Sequence, residues 1–254
     1  IYAITSANDN TLWLGTNKGL VHFDPDTGNF RHFQAHKDDP QSLSQNTVIS
    51  LLDDGKETLW VGTFLGLNKL DKTSGIFTQY KKSNAGLSDN VITSLILDAH
   101  GDLWVGTMDG LNRLDRNSQL ITQFGVEDGL PNGNVFGIIE DNDGNLWLST
   151  NNGLAKFNVS EQSFGPYSVK DGLQDRAYIL GALHQDKQGN QYFGGVNGYN
   201  KFLPETLATQ QRAPSVVLED FLLFNKAIDE ELLSEMRENR GRIELSYKDA
   251  VFGV

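Results

Sequence analysis

The sequence predicts an all-β chain: a β-propeller fragment of five blade repeats, each of four antiparallel strands, followed by the first strands of a β-sandwich. Three observations predict it. A short motif built on an aromatic anchor recurs along roughly the first 200 residues, each recurrence reads as a set of short strands, and no unit carries the 3.6-residue periodicity of a helical array.

The motif is LWLGT at 12–16, LWVGT at 59–63, LWVGT at 103–107 and LWLST at 146–150, and it degenerates to QYFGG at 191–195. Its anchors, Trp13, Trp60, Trp104, Trp147 and Tyr192, stand 43 to 47 residues apart and include all 4 tryptophans. Six residues after each anchor comes a glycine (Gly19, Gly66, Gly110, Gly153, Gly198), and ten after it a Phe or Leu (Phe23, Leu70, Leu114, Phe157, Phe202).

Within a unit the first strand is apolar on both faces, as in VISLLDD, VITSLILD and VFGIIED, which suits an innermost strand covered on each side. A polar turn follows, DAHGD at 98–102 or DNDGN at 141–145, and leads into the anchor strand. The next turn, such as Thr16-Asn17-Lys18-Gly19, ends on a residue that needs positive φ, and glycine adopts it without strain. The third strand runs out through Asp24 to Gly28 or Asp71 to Gly75, and the fourth carries aromatics three apart, Phe30 with Phe33 and Phe77 with Tyr80. Four antiparallel strands in about 40 to 50 residues describe a propeller blade. The anchors then belong to the packing between blades and are poor candidates for chemistry.

The string LSQNTVISLLDDGKETLWVGTFLGLNKLDKTSGIFTQY at 43–80, repeated in form at 87–124, resembles the two-component regulator propeller repeat of bacterial sensor proteins. The resemblance extends over residues 1–203. The first unit departs from it by lacking the Asp and Gly before its Trp, and the last by placing Tyr192 at the anchor and ending in YFGGVNGYNKFLPE, a form typical of a closing blade. That last unit leaves through Pro204 to Pro214 without a fourth strand, while Ile1 already begins an innermost strand. Residues 1–203 are therefore expected to be the C-terminal part of a larger ring. Residues 204–213 read as a linker, and 214–254, with PSVVLEDFLLFNKAI and RIELSYKDAVFGV, resembles the start of the three-Tyr β-sandwich domain that follows such propellers. Asp229 to Asn239 reads equally as a short helix or a solvated loop.

Composition narrows the chemistry. With 21 Lys+Arg against 33 Asp+Glu the formal net charge is −12, which argues against a nucleic-acid partner. The absence of cysteine excludes disulfides, thiolate nucleophiles and Cys-ligated metals. No apolar run reaches the length of a membrane span. His22, His32, His36, His100 and His184 show no metal-ligand spacing. Asp141 to Asn145 resembles the start of a calcium loop, but Asn152 stands at the twelfth position where a bidentate Glu is needed, so the segment reads as a turn. No catalytic residue, cofactor or metal is expected.

Binding is the better-supported expectation. The loops joining strands two and three share a face with those joining one blade to the next. The first set varies at its tips: Asn17-Lys18, Phe64-Leu65, Met108-Asp109, Asn151-Asn152 and Val196-Asn197. From the two sets, Arg176, Tyr178, Asn134, Asn90, Asn46 and Phe64 are the candidate ligand contacts. Arg176 and Tyr178 could stack on and hydrogen-bond a sugar ring, or these groups could satisfy neighbouring backbone. An exposed Phe64 would need a cover, or it folds back on the adjacent blade. The resemblance implies the periplasmic input region of an inner-membrane histidine kinase or diguanylate cyclase, with a small molecule, conceivably an oligosaccharide, as partner and a homodimer left open. A protein-interaction scaffold is the alternative.

Overall fold

The structure is a computed structural model that describes residues 1–7 and 9–207, together with three two-residue strands beyond them. Contacts divide the chain into two units, Ile1–Leu207 and Ala208–Val254. The first unit is all-β, with five antiparallel sheets in a propeller arrangement.

Blade 1 comprises β1 (Ala3–Ser6), β2 (Leu12–Thr16), β3 (Gly19–Phe23) and β4 (Phe30–Phe33). Blade 2 comprises β5 (Val48–Asp53), β6 (Thr58–Thr63), β7 (Gly66–Asp71) and β8 (Phe77–Tyr80). One helical turn, α1 (Lys82–Ala85), leads to blade 3: β9 (Ile92–Leu97), β10 (Leu103–Thr107), β11 (Gly110–Leu114) and β12 (Ile121–Phe124). Blade 4 comprises β13 (Val135–Glu140), β14 (Leu146–Thr150), β15 (Gly153–Asn158) and β16 (Ser163–Tyr167). Blade 5 has three strands, β17 (Tyr178–Gln185), β18 (Gln191–Gly195) and β19 (Gly198–Phe202), and the chain then makes a single helical turn, α2 (Pro204–Leu207). In each of these five sheets the strands pair in chain order, as the repeat predicts, and among the described residues the fifth has three strands. In the second unit β20 (Leu222–Leu223) pairs with both β21 (Lys226–Ala227) and β22 (Phe252–Gly253). The remainder of the expected three-Tyr segment, including Asp229 to Asn239, lies outside the described residues.

Each tryptophan anchor faces the blade that follows it. Trp13 shares a core with Leu59, Leu70 and Phe77 of blade 2, Trp60 with Leu103 and Leu114 of blade 3, Trp104 with Leu146 and Phe157 of blade 4, and Trp147 with Phe193 and Phe202 of blade 5. The residues flanking an anchor point the other way, since successive strand side chains alternate between faces. Leu59, Val61, Leu146 and Leu148 are accordingly sealed against the preceding blade, each 0% exposed. Their counterparts in blade 1, Leu12 and Leu14, are only half-buried, and so is the last anchor, Tyr192. Among the described residues nothing covers the two outer flanks of the array, and Ile4 on the innermost strand of blade 1 is also exposed.

The glycine two residues after the anchor has a steric cause. A Cβ on Gly15 would lie 2.7 Å from the Val48 side chain, and one on Gly62 would lie 2.8 Å from Ile92. The innermost strand of the next blade crosses there and leaves no room for a side chain in these two blades, whereas blade 4 places Ser149 at the same position.

Candidate functional site

The loops entering each blade and the turns between second and third strands do share one face, and hydrogen bonds link them into a belt. Gly110 N donates to Gly133 O and Gly153 N to Arg176 O, both at 2.7 Å, tying each turn to the loop that enters the next blade. In the other direction Asn152 Nδ2 donates to Pro131 O at 3.3 Å and Asn197 N to Gln174 Oε1 at 2.7 Å, tying each turn to the loop entering its own blade. Beneath the belt, buried asparagines hold the loops. Asn68 Oδ1 accepts from Ser44 N and Asn112 Oδ1 from Ser88 N, both at 2.8 Å, and each amide returns a hydrogen bond to the same serine's hydroxyl.

The six nominated residues fall into different roles. Asn46 Oδ1 accepts from Ala35 N at 2.7 Å and Asn90 Oδ1 from Lys82 N at 2.9 Å, so both secure the exit of the preceding blade's last strand. Asn134 Nδ2 reaches Met108 Sδ at 3.5 Å, joining an entry loop to a turn tip. Phe64 is 43% exposed at its tip, beside exposed Leu65. Arg176 is exposed, and its side chain makes no ion pair among the described residues. Tyr178 lies elsewhere: it is 4% exposed, packs edge-on against Phe193, and donates its hydroxyl to Asn200 Oδ1 at 2.7 Å. Burial, reinforced by the Asp175 carboxylate, pushes that phenol well above the usual tyrosine range. The stacking role expected of Tyr178 thus gives way to a core role, because Asn200 on β19 draws the ring inward. The structure brings together Asn134 with Met108 and Asp175 with Asn197, and leaves Asn46, Asn90 and Phe64 on other blades.

The opposite face carries a second repeated arrangement. The residue directly across the hairpin from each anchor is basic: His22, Lys69, Arg113, Lys156 and Lys201. His22 stacks on Trp13 with ring centroids 4.1 Å apart, and the four cations lie 5.4 to 5.8 Å from their anchors' ring centres. In the last three blades a carboxylate six residues before the anchor takes the ring's polar proton. Trp104 Nε1 donates to Asp98 at 2.8 Å, Trp147 Nε1 to Asp141 at 3.1 Å, and the Tyr192 hydroxyl to Asp186 at 3.1 Å. Asp141 also accepts the amides of Asp143 and Asn145, at 3.1 and 2.8 Å, so this segment is the expected turn. The basic residue nine positions after each anchor was available in the sequence as a signal, but only the cross-strand register gives it a meaning.

Residues 86–109 and 129–152 match the family model described as the two component regulator propeller. These stretches are similar to the repeats of that family. They contain the entry loop, innermost strand, anchor strand and turn of blades 3 and 4, which are the elements that build the belt. The chain is 25% identical to the extracellular domain of a B. thetaiotaomicron protein assigned as a hybrid two component system, with a TM-score of 0.78, covering 89% of this chain and 32% of that one. It is 32% identical over 69 residues to histidine kinase P4 of Formosa agariphila, covering 27% of this chain and 5% of that kinase. Virginiamycin B lyase from Staphylococcus aureus, at 16% identity and a TM-score of 0.62 over 80% of this chain and 67% of the lyase, shares the fold. The chain therefore spans about a third of the extracellular domain that it matches. Its likeness is to extracellular sensory input domains, and among its described residues no helix is long and apolar enough to cross a membrane.

Proposed function

We propose that this chain is a ligand-sensing input region of a bacterial signal-transduction receptor. It lies in the periplasm, binds a small molecule on the belt face without catalysis, and relays binding through a three-Tyr segment to a kinase or cyclase elsewhere in a membrane-anchored parent protein. The observation that carries this reading is the likeness to the extracellular domain of a hybrid two component system over 89% of the chain. The belt supports it. Neighbouring loops are hydrogen-bonded to one another, so a ligand that displaces one loop moves the next, and that is the coupling a relay needs.

The belt face is polar at blades 1 and 4, through Asn17, Lys18, Asn151 and Asn152, and Arg176 projects free of ion pairing beside the last of these. Such a surface suits a neutral, hydroxyl-rich ligand such as an oligosaccharide, recognised by directed hydrogen bonds. Titration calorimetry of the chain with a panel of neutral oligosaccharides tests this. Binding that weakens in Arg176→Ala supports it, and no binder in the panel counts against a sugar ligand.

One observation favours a second reading. Phe64, Leu65, Met108 and Val196 present exposed apolar tips on the same face in blades 2, 3 and 5, and an apolar patch of that kind suits a protein partner. Phe64→Ser with Leu65→Ser separates the two: it abolishes partner capture if the face is a scaffold, and leaves sugar affinity in place if it is a sensor.

A further inference from the structure

Blade 1 breaks the pattern of the anchor carboxylates. Six residues before Trp13 stands Ala7, where Asp98, Asp141 and Asp186 stand in blades 3 to 5. Trp13 is 3% exposed, and its Nε1 is buried without a hydrogen-bond partner among the described residues. A buried donor left unpaired costs free energy, and nearly all such groups in proteins are satisfied by something.

A cavity of about 280 Å³ opens at that point, with Ala7 and Trp13 in its wall. Its other walls are cationic. Arg31 and Lys56 line it, and neither makes an ion pair among the described residues, whereas Lys72 is held by Asp53 at 2.8 Å. His22 completes the wall over the indole. Its Nε2 lies 2.6 Å from Thr11 Oγ1, which in turn donates to Asp9, so His22 presents this nitrogen as a donor already in use. Asp9 is the one carboxylate lining the cavity, and it is occupied by the Thr11 amide and hydroxyl.

The gap between blades 2 and 3 has a carboxylate where blade 1 has Ala7. That cavity, about 300 Å³, is lined by Trp60, by Lys69 in the place of His22, by Arg116 in the place of Lys72, and by Asp54, whose Oδ1 accepts the amides of Lys56 and Thr58. The blade 1 cavity thus sets an indole donor beside Arg31 and Lys56, and its lining carboxylate, Asp9, is turned to Thr11.

We propose that the cavity between blades 1 and 2 binds a small carboxylate, whose oxygen accepts the Trp13 Nε1 proton in the place that Asp98, Asp141 and Asp186 occupy in their blades. Arg31 and Lys56 supply the counter-charge. The site lies on the face opposite the belt and is independent of the sensing proposal above.

The four tryptophans give four indole signals in a ¹H–¹⁵N spectrum, and Trp13→Phe assigns one of them. Adding succinate should move the Trp13 signal saturably while those of Trp104 and Trp147 stay in place. Sodium chloride at equal ionic strength should not move it. Arg31→Gln with Lys56→Gln should weaken the response by at least about tenfold. Ala7→Asp should install the missing carboxylate, abolish the succinate response, and raise the melting temperature by about 2–4 °C. An unresponsive Trp13 signal, an equal response to chloride, or a response retained in Ala7→Asp overturns the proposal. A response to inorganic phosphate at lower concentration than to succinate overturns the assignment to carboxylates.

Discussion

Asp98 Oδ2 accepts the indole proton of Trp104 at 2.8 Å, while Asp98 Oδ1 accepts the amides of His100 and Asp102 at 2.9 Å. One carboxylate thereby shapes the turn between the first two strands of blade 3 and fixes the ring that blade 4 packs against. Asp98→Ala should cost about 2–4 kcal/mol, because it orphans a buried indole donor and two turn amides together. Asp98→Asn keeps an acceptor and should cost less. Urea unfolding of both variants measures the difference, and equal losses would show that the indole contact contributes nothing.

Trp104 is 1% exposed between two blades, whereas Tyr192 is half-buried on an uncovered flank. Trp104→Ala should destabilise by about 3–5 kcal/mol, and Tyr192→Ala by clearly less. A thermal scan giving equal or reversed losses would contradict the packing order of the blades.

Tyr178 and Arg176 stand two residues apart and should behave in opposite ways. Arg176→Ala changes an exposed side chain and should alter stability by under about 0.5 kcal/mol while weakening any ligand held at the belt. Tyr178→Ala should destabilise by about 3–5 kcal/mol through the cavity it leaves. A mild Tyr178→Ala variant would return that ring to the list of ligand contacts.

The raised pKa of the Tyr178 phenol makes stability depend on alkaline pH. Its folded form holds the proton above the ordinary value of 10.0, at which the unfolded chain releases it. The stabilisation is therefore constant below that pH and declines as pH rises past it, because only the unfolded state gains by ionising. Tyr80 and Tyr167 are shifted in the same direction by burial and contribute to the decline. Tyr178→Phe should be less stable at neutral pH by about 1 kcal/mol, and its stability should fall less steeply between pH 10 and 11. Denaturant titrations across that range provide the check.

The uncovered flanks should make the chain associate as its concentration rises. Half-buried Leu12 and Leu14, with exposed Ile4, form a surface that every interior blade covers. Sedimentation velocity should show association that Leu12→Lys with Leu14→Lys reduces. A monodisperse monomer at all concentrations would indicate that the flanks need no cover.

The blades were legible in the sequence because the tryptophan anchors repeat the same demand, a ring for the next blade, and three of the four add a glycine where its inner strand crosses. The belt was legible as a face, since the turn glycines mark its tips. Individual contacts were less so. Tyr178 follows a loop that departs from its siblings, which resembles a functional departure, but it opens β17 and its hydroxyl is held by Asn200 on another strand. Asn46 and Asn90 had a backbone role available from the start, and Ala35 N and Lys82 N supply it. The absent Asp of the first unit was visible as a departure. That it leaves a buried indole donor unpaired required the packing of blade 2 against Trp13.

The orientation of the anchors gives the array a direction. Every interface between blades joins an aromatic-bearing side to a leucine-bearing side, so the two end surfaces differ from each other and neither is complementary to itself. Copies meeting through these ends would form a heterologous, head-to-tail contact in place of a two-fold pair. Such a contact either closes into a ring or continues without limit, and a terminal blade of different character is the natural means of halting it.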